Sequence, residues 1–365
     1  MLLFFAGLLS QLLSWGVGLY FGYPWAESSP KLHRMAIWFS IIPIAYFIQA
    51  NTQKVVVLSG CFLLVLLSIP WVVGNGLEDF YKGFQGERIN FQIHNAQHMG
   101  MLYAVGFLGV LSVIFFTLGK SKSLMSSRFL LSFAALAFVS CVIFSKTRAV
   151  WIGLLLSGFS LLVFSVSTLK ARKSFYALGL VLTFVLVILM GKTLGFDNHV
   201  TSRLSQESHQ LEALFNSDEA IKNNTSIGIR ILSWKESLDW IKERPLLGSG
   251  GRAAREVVQN AESLSPGVKA ITAHLHNSYL DIWVRFGLLG LSILLLLMTY
   301  LAVGTWRAWK KGIMPEPVFA FFVAFFPFWL WVNFFESYMF FSYGNYIFSL
   351  VGGVLLSYIW KAKYQ

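Results

Sequence analysis

The 365-residue sequence predicts an all-α, polytopic membrane protein of about ten transmembrane helices with one large loop late in the chain. Three observations predict it. The composition is 56% hydrophobic and 16% aromatic with 13% charged residues, whereas a soluble domain carries about a quarter charged. Crossing the hydrocarbon takes roughly 20 mostly apolar residues, and such runs recur along the whole chain. The basic residues are also distributed unevenly between alternate loops.

Taken in order, the apolar runs are 3–22, 35–50, 55–73, 100–119, 129–145, 149–168, 175–191, 279–303, 318–335 and 343–360. The first lacks the basic n-region and small-residue cleavage site of a signal peptide and reads as a retained helix. Between the third and fourth runs lies the loop 74–99. Between the seventh and eighth lies 192–277, the longest connection. Structureless loops beyond roughly 12–15 residues are uncommon unless functional or disordered, and this one carries order of its own. In "IRILSWKESLDWIKERPLLGSGG" (229–251), Ile231, Trp234, Leu238 and Ile241 recur at helical spacing. The run reads as an amphipathic helix over the membrane surface, ended by Pro245 and the glycines at 248, 250 and 251. The expected organisation is 1–191 as N-terminal transmembrane helices, 192–278 as a loop domain with amphipathic helices, and 279–365 as C-terminal transmembrane helices.

The net charge of +12 and pI near 9.7 raise the question of nucleic acid, and the charge placement answers it. With a cytoplasmic N-terminus, the cytoplasmic loops hold Lys54, Lys120, Lys122, Arg128, Lys170, Arg172, Lys173, Arg307, Lys310, Lys311, Lys361 and Lys363, against the single acid Glu316. Residues 192–277 carry ten basic and ten acidic groups and fall on the other side. This is the positive-inside pattern, which fixes orientation. The basic pI is topology, and no nucleic-acid partner follows from it. Cys61 and Cys141 fall within separate predicted spans and read as core residues, with no disulfide framework or metal site.

All seven histidines (His33, His94, His98, His199, His209, His274 and His276) lie on the outer side in this topology. In "HLHNSYLDIWVRFGLLG" (274–290), His276 and Asn277 sit where the long loop descends into the eighth span. Gly287 and Gly290, three apart, are expected to let another helix approach closely. The bland reading makes His274 and His276 interfacial residues that cap a helix. Arg148, in the short turn "SKTRAVW", is either an interface anchor or a clamp for an anionic head group, since guanidinium binds phosphate bidentately. Arg230 opens the amphipathic helix with Trp234 one turn on; its bland reading is a solvated face. Arg34, Arg203, Arg252 and Arg255 have weaker claims. His94 and His98 would face one another on a helix, but no carboxylate or cysteine pattern completes a metal site.

His276-Asn277, nine residues, then Gly287-x-x-Gly290 resembles the signature of bacterial O-antigen ligases. "RILSW…RPLLGSG" is similar to the preceding segment in the wider ligase and polymerase superfamily, from about residue 128 onward. Family members often have about twelve spans, so the range is ten to twelve. The resemblance implies a membrane glycosyltransferase of the C type that uses a polyprenyl-linked donor. It implies O-polysaccharide on undecaprenyl pyrophosphate as donor and a sugar hydroxyl of lipid A–core as acceptor. The place would be the periplasmic face of a Gram-negative inner membrane, which makes 192–277 a periplasmic loop among membrane lipids. Pyrophosphate is a good leaving group once its charge is neutralised, so Arg148 and Arg230 would bind it, and no metal, ATP or other cofactor is demanded. His276 would take the acceptor proton as general base, with inversion at the anomeric carbon. Asn277, Trp234 and Asp281 join the expected substrate site. Either Glu336 or Asp281 would hold the imidazole in its tautomer, and Asp281 is as readily paired with Arg285. An O-antigen polymerase or a protein O-oligosaccharyltransferase would use the same donor type. A transporter or flippase would place charges near the midplane, whereas here they cluster at helix ends.

Overall fold

The computed structural model of the chain describes residues 2–117, 125–168 and 225–365. The predicted seventh span, 175–191, lies outside them, as do Lys120, Lys122, Lys170, Arg172, Lys173, His199, Arg203 and His209. Among the described residues the regular structure is helical, without strands. The helices are α1 (Leu2–Tyr20), α2 (His33–Ala36), α3 (Ile41–Ile48), α4 (Thr52–Val72), α5 (Leu77–Phe84), α6 (Ala96–Thr117), α7 (Met125–Phe144) and α8 (Arg148–Thr168). They continue with α9 (Ser226–Glu243), α10 (Ala253–Asn260), α11 (Pro266–Ile271), α12 (Ser278–Lys310), α13 (Glu316–Val332) and α14 (Ser342–Tyr364).

Among the described residues, four helices are long and apolar enough to cross a membrane: Leu2–Tyr20, Thr52–Val72, Ala96–Ile114 and Ser278–Lys310. The apolar helices His33–Ile48, Phe129–Phe144, Arg148–Phe164 and Glu316–Val332 are shorter. The run expected as one span at 35–50 is not a uniform α-helix, because residues Ile37–Ser40 form a 3-10 turn between α2 and α3. Pro43 accounts for the change. It has no N–H to donate to the carbonyl four residues back, and its ring crowds that carbonyl, which belongs to Phe39.

The chain divides into two compact units. One comprises Ile41–Phe196, Leu301–Val332 and Leu350–Gln365. Its centre is α6, 78% buried over its most apolar window, against 22% for α4. The contrast separates an internal helix from a peripheral one. The outward face of α4 shows Val56, Val57, Leu64, Val65 and Trp71, an apolar stripe suited to lipid. Two polar side chains inside this unit are satisfied helix to helix. Tyr103 Oη donates to the Leu66 carbonyl at 2.9 Å, and Ser157 Oγ donates to the Ala324 carbonyl at 2.8 Å.

The other unit comprises Met1–Ser40, Asp197–Tyr300 and Asn333–Ser349. Helix α1 turns Leu2, Phe5 and Leu9 outward but buries Ser10, Gln11 and Ser14. Gln11 Nε2 donates to the Leu32 carbonyl at 2.9 Å, and Ser14 Oγ donates to the Arg285 carbonyl at 2.5 Å. The amphipathic helix forms as α9, with its inward face rotated from the expected one but still including Ile241. Leu232, Ser233, Ser237 and Ile241 are buried, while Leu238, expected inside, is 47% exposed. The two serines are small enough for close packing, and their hydroxyls donate back to the Ile229 and Trp234 carbonyls, so no polar group is stranded. Against this face lie Ala253, Ala254, Val257 and Val258 of α10, with Leu264, Leu275 and Val284 completing the core.

Helix α12 corrects a second expectation. Gly287 leaves the helical path, with φ 66° and ψ −170°. A Cβ there would stand 2.1 Å from the Leu246 carbonyl oxygen, and one on Gly248 would stand 2.5 Å from that of Arg285. Two glycines therefore let the 245–251 loop press into the break, where the Leu288 N–H donates to the Pro245 carbonyl at 2.8 Å. The expected helix-to-helix approach is seen only at Gly290, whose missing side chain faces Ser10 of α1.

Candidate active site

The site is built on three short stretches of this unit: 274–281, 333–337 and the first turns of α9. Leu275 anchors the first. Its side chain is fully buried in the core, a placement worth about 1.5–3 kcal/mol, and its neighbours on either side are thereby turned the other way. Trp234 Nε1 donates to the Leu275 carbonyl at 2.8 Å. His276 then takes a left-handed backbone conformation, φ 50°, which is uncommon for a residue with a side chain. Backbone strain of this kind costs about 1–3 kcal/mol and persists where the surroundings enforce it.

The surroundings do enforce it. Asn277 caps α12, its Oδ1 accepting from the N–H groups of Tyr279 and Leu280 at 3.0 and 3.1 Å. Ser278 Oγ donates to Asn333 Oδ1 at 2.6 Å, and its N–H donates to the Asn333 carbonyl at 2.8 Å. The start of α12 is thus sutured to the 333–339 segment. This brings Glu336, fully buried, to the histidines. Its Oε1 lies 2.9 Å from His274 Nε2, and its Oε2 lies 3.3 Å from His276 Nδ1. The Ser337 N–H donates to Oε1 at 2.9 Å, holding the carboxylate in place.

Burial lowers the His276 pKa from its ordinary value; the hydrogen bond and charge of Glu336 pull the other way without cancelling it, and the charges of His274 and Arg230 add to the lowering. Burial alone would raise the Glu336 carboxyl, but hydrogen bonds from His274 and His276 hold it well below the usual carboxylate range. The arrangement is therefore a buried carboxylate that accepts from His274 and from a His276 imidazole kept neutral by burial. With its Nδ1 proton on Glu336, His276 presents Nε2 as an acceptor, and its side chain is 23% exposed. A neutral imidazole so oriented is equipped to take a proton.

Of the two carboxylates open in the sequence, the structure brings Glu336 to the imidazole. Asp281, fully buried, accepts from Ser337 Oγ and pairs with Arg285 at 3.4 Å. Asp281 thereby braces the residue next to Glu336. Trp234, expected at the substrate, spans the histidine-bearing and the glutamate-bearing stretches, bonded to the Leu275 carbonyl and with its ring 6.4 Å from that of Phe335. Arg230 lies on the same helix, with Nη1 3.3 Å from Ser226 Oγ, close enough for its charge to act on His276. Arg148 belongs to the other unit, as the first residue of α8. Arg34 is held by both oxygens of Glu27 at 2.6 and 2.8 Å, and Arg252 lies 3.7 Å from the same carboxylate. His94 precedes α6, which Asn95 caps, so the helical i,i+4 geometry does not form; its ring meets that of His98 edge-on at 5.1 Å. Two imidazoles and a carboxylate do converge, at His274, His276 and Glu336. The last two stand 60 positions apart, so local spacing could not show that His274 joins them in one cluster. Ser278, Asn333 and Ser337, which suture the site, carried no sequence signal beyond being polar at the ends of apolar runs.

Residues 132–295 match the sequence profile described as O-Antigen ligase. That span takes in Arg148, Arg230, Trp234 and His276 and stops short of Glu336. An uncharacterized protein of Haemophilus influenzae is 29% identical over 166 residues, which are 42% of this chain and 37% of that one. The match thus spans well under half the length of that relative.

Proposed function

We propose, on the support of the match of residues 132–295 to the O-Antigen ligase profile, that the chain is a membrane enzyme of ligase or polymerase type that carries out the following reaction. The chain is an O-antigen ligase of lipopolysaccharide biosynthesis. It transfers O-polysaccharide from undecaprenyl pyrophosphate to a sugar hydroxyl of lipid A–core. His276 is the general base and Glu336 its positioning carboxylate. The observation that carries this reading is the His276–Glu336 pair, which directs one ring nitrogen to a buried carboxylate and leaves the other for substrate.

The acceptor hydroxyl gives its proton to His276 Nε2 as its oxygen bonds to the anomeric carbon. The anomeric C–O bond to pyrophosphate breaks, the leaving group takes the electron pair, and the configuration inverts. Glu336 stabilises the imidazolium that forms. Arg230 and Arg148 neutralise the departing pyrophosphate, and Arg148 stands at the positive end of the α8 dipole. Pyrophosphate so neutralised leaves without a metal or nucleotide. The natural compartment for these substrates is the periplasmic leaflet of a bacterial inner membrane, with residues 192–277 on that side.

The lipopolysaccharide gel pattern of a deletion strain tests the function. A ligase predicts loss of the polymer ladder with accumulation of lipid-linked polymer; core bearing a single repeat would point to a polymerase instead. Orientation is tested with native cysteines replaced. Glu262→Cys should react with an impermeant maleimide in spheroplasts and Gln365→Cys only after permeabilisation. Equal labelling of both would overturn the orientation.

A further inference from the structure

We propose that His274, His276 and Glu336 form a binding site for one divalent transition-metal ion of the zinc class, whose occupation silences His276 as a base. The second half rests on the general-base reading above; the first half does not. The three residues each offer one donor atom, all within 4.8 Å of one another. The separations are 3.1 Å between His274 Nε2 and His276 Nδ1, 2.9 Å from His274 Nε2 to Glu336 Oε1, and 3.3 Å from His276 Nδ1 to Glu336 Oε2. Zinc–nitrogen and zinc–oxygen bonds of about 2.0–2.2 Å in a tetrahedron place neighbouring donors roughly 3.3–3.6 Å apart. Each imidazole nitrogen thus stands within a few tenths of an ångström of tetrahedral donor spacing from the other and from one of the two carboxylate oxygens.

Without an ion the arrangement contains a conflict. A carboxylate only accepts, so in the tautomers in which both imidazoles donate to Glu336 the two N–H groups face each other across 3.1 Å. A cation replaces both protons and removes the opposition. Two imidazoles with one carboxylate suit zinc, nickel or copper, whereas magnesium and calcium require more oxygen ligands. The outer supports are present too. The Ser337 N–H holds Glu336 Oε1 at 2.9 Å, and the Phe341 ring packs edge-on against His274 at 5.0 Å. Such outer contacts orient ligands and tune affinity. The histidine side chains are 19% and 23% exposed, which leaves a route in and an open fourth position.

Coordination through Nδ1 moves the remaining imidazole proton to Nε2, the atom from which the acceptor hydroxyl must be deprotonated. Zinc would therefore inhibit transfer and a chelator restore it. The test uses the full-length, untagged protein in detergent, stripped with EDTA and titrated calorimetrically with zinc chloride and magnesium chloride. One zinc per chain and no magnesium is expected, and cobalt in place of zinc should give the visible absorption of a tetrahedral ion. His274→Ala, checked for folding by gel filtration and thermal melt, should bind more weakly by more than the roughly 10–100-fold typical of outer-shell changes. His94→Ala, outside the cluster, serves as the control and should bind zinc like wild type. Failure of wild type to take up zinc, or undiminished binding by a folded His274→Ala, would overturn the site. Zinc bound with transfer unaffected would overturn the silencing. Transfer that requires zinc would keep the site and overturn the metal-free base mechanism, so the two readings fail separately.

Discussion

Trp234 donates its indole N–H to the carbonyl of Leu275 at 2.8 Å, so the residue between the two site histidines is fastened from a different helix. Trp234→Phe keeps the ring and removes the hydrogen bond. A neutral hydrogen bond is worth about 0.5–1.5 kcal/mol net, so kcat should fall roughly 2–10-fold. KM for the lipid-linked donor should move little. A change confined to KM would make Trp234 a substrate contact instead of a positioning residue.

His276 and His274 both touch Glu336, yet only His276 directs Nδ1 to the carboxylate and stands at the start of α12. Loss of a general base costs about 10²–10⁴-fold, so His276→Ala should leave little transfer. His274→Ala should lose less than about tenfold, under roughly 1.4 kcal/mol, because the Ser337 N–H still holds Glu336 and the His274 ring takes no proton from the acceptor. The assay is transfer in liposomes with purified lipid-linked donor and core acceptor, in EDTA and without ATP. Near-wild-type transfer by His276→Ala would sink the catalytic assignment.

The pH dependence follows from burial, which lowers the His276 pKa from 6.5. Protonation removes the lone pair, so transfer in EDTA should be full at pH 7 and fall on acidification through a midpoint under 6.5. Glu336 favours the imidazolium, so Glu336→Gln should push that midpoint lower still. It should also cut kcat roughly 10–100-fold, the equivalent of a charged hydrogen bond of about 1.5–3 kcal/mol. An unshifted midpoint would remove Glu336 from the mechanism.

Arg148 and Arg230 are tested as pyrophosphate ligands. Losing one preorganised donor to a developing anion costs about 10²–10³-fold, and Arg→Ala at either position should do so with the protein still in the membrane. Arg→Lys should restore transfer only in part, because the planar fork is lost. Full activity in Arg148→Ala would redirect attention to Arg252 and Arg255.

The start of α12, the outline of α9 and the apolar runs were legible because each is a local property. Hydrocarbon selects apolar length, and a glycine pair nine residues past His276-Asn277 is a pattern of adjacent positions. What stayed hidden depends on distance or on shape. The sequence left Asp281 beside the favoured Glu336 as a partner for His276; tertiary structure brings Glu336 to His276 and gives Asp281 to Ser337 and Arg285. The α9 face was misjudged because hydropathy scores Ser233 and Ser237 as outward. In fact their small size and back-donated hydroxyls suit them to close packing. Gly287 marked close approach, but nothing local revealed that the neighbour was the 245–251 loop.

The pairing of His276 with Glu336 has a consequence for timing. Sixty residues separate the two positions, and synthesis proceeds at about 5–20 residues per second. A nascent chain therefore carries the imidazole for roughly 3–12 s before its carboxylate has been made. Ser278, Asn333 and Ser337 share that delay, since the suture between 278 and 333–337 needs both ends. On the proposed mechanism the base is oriented only as a late event of biogenesis, when the Asn333–Ser337 stretch docks.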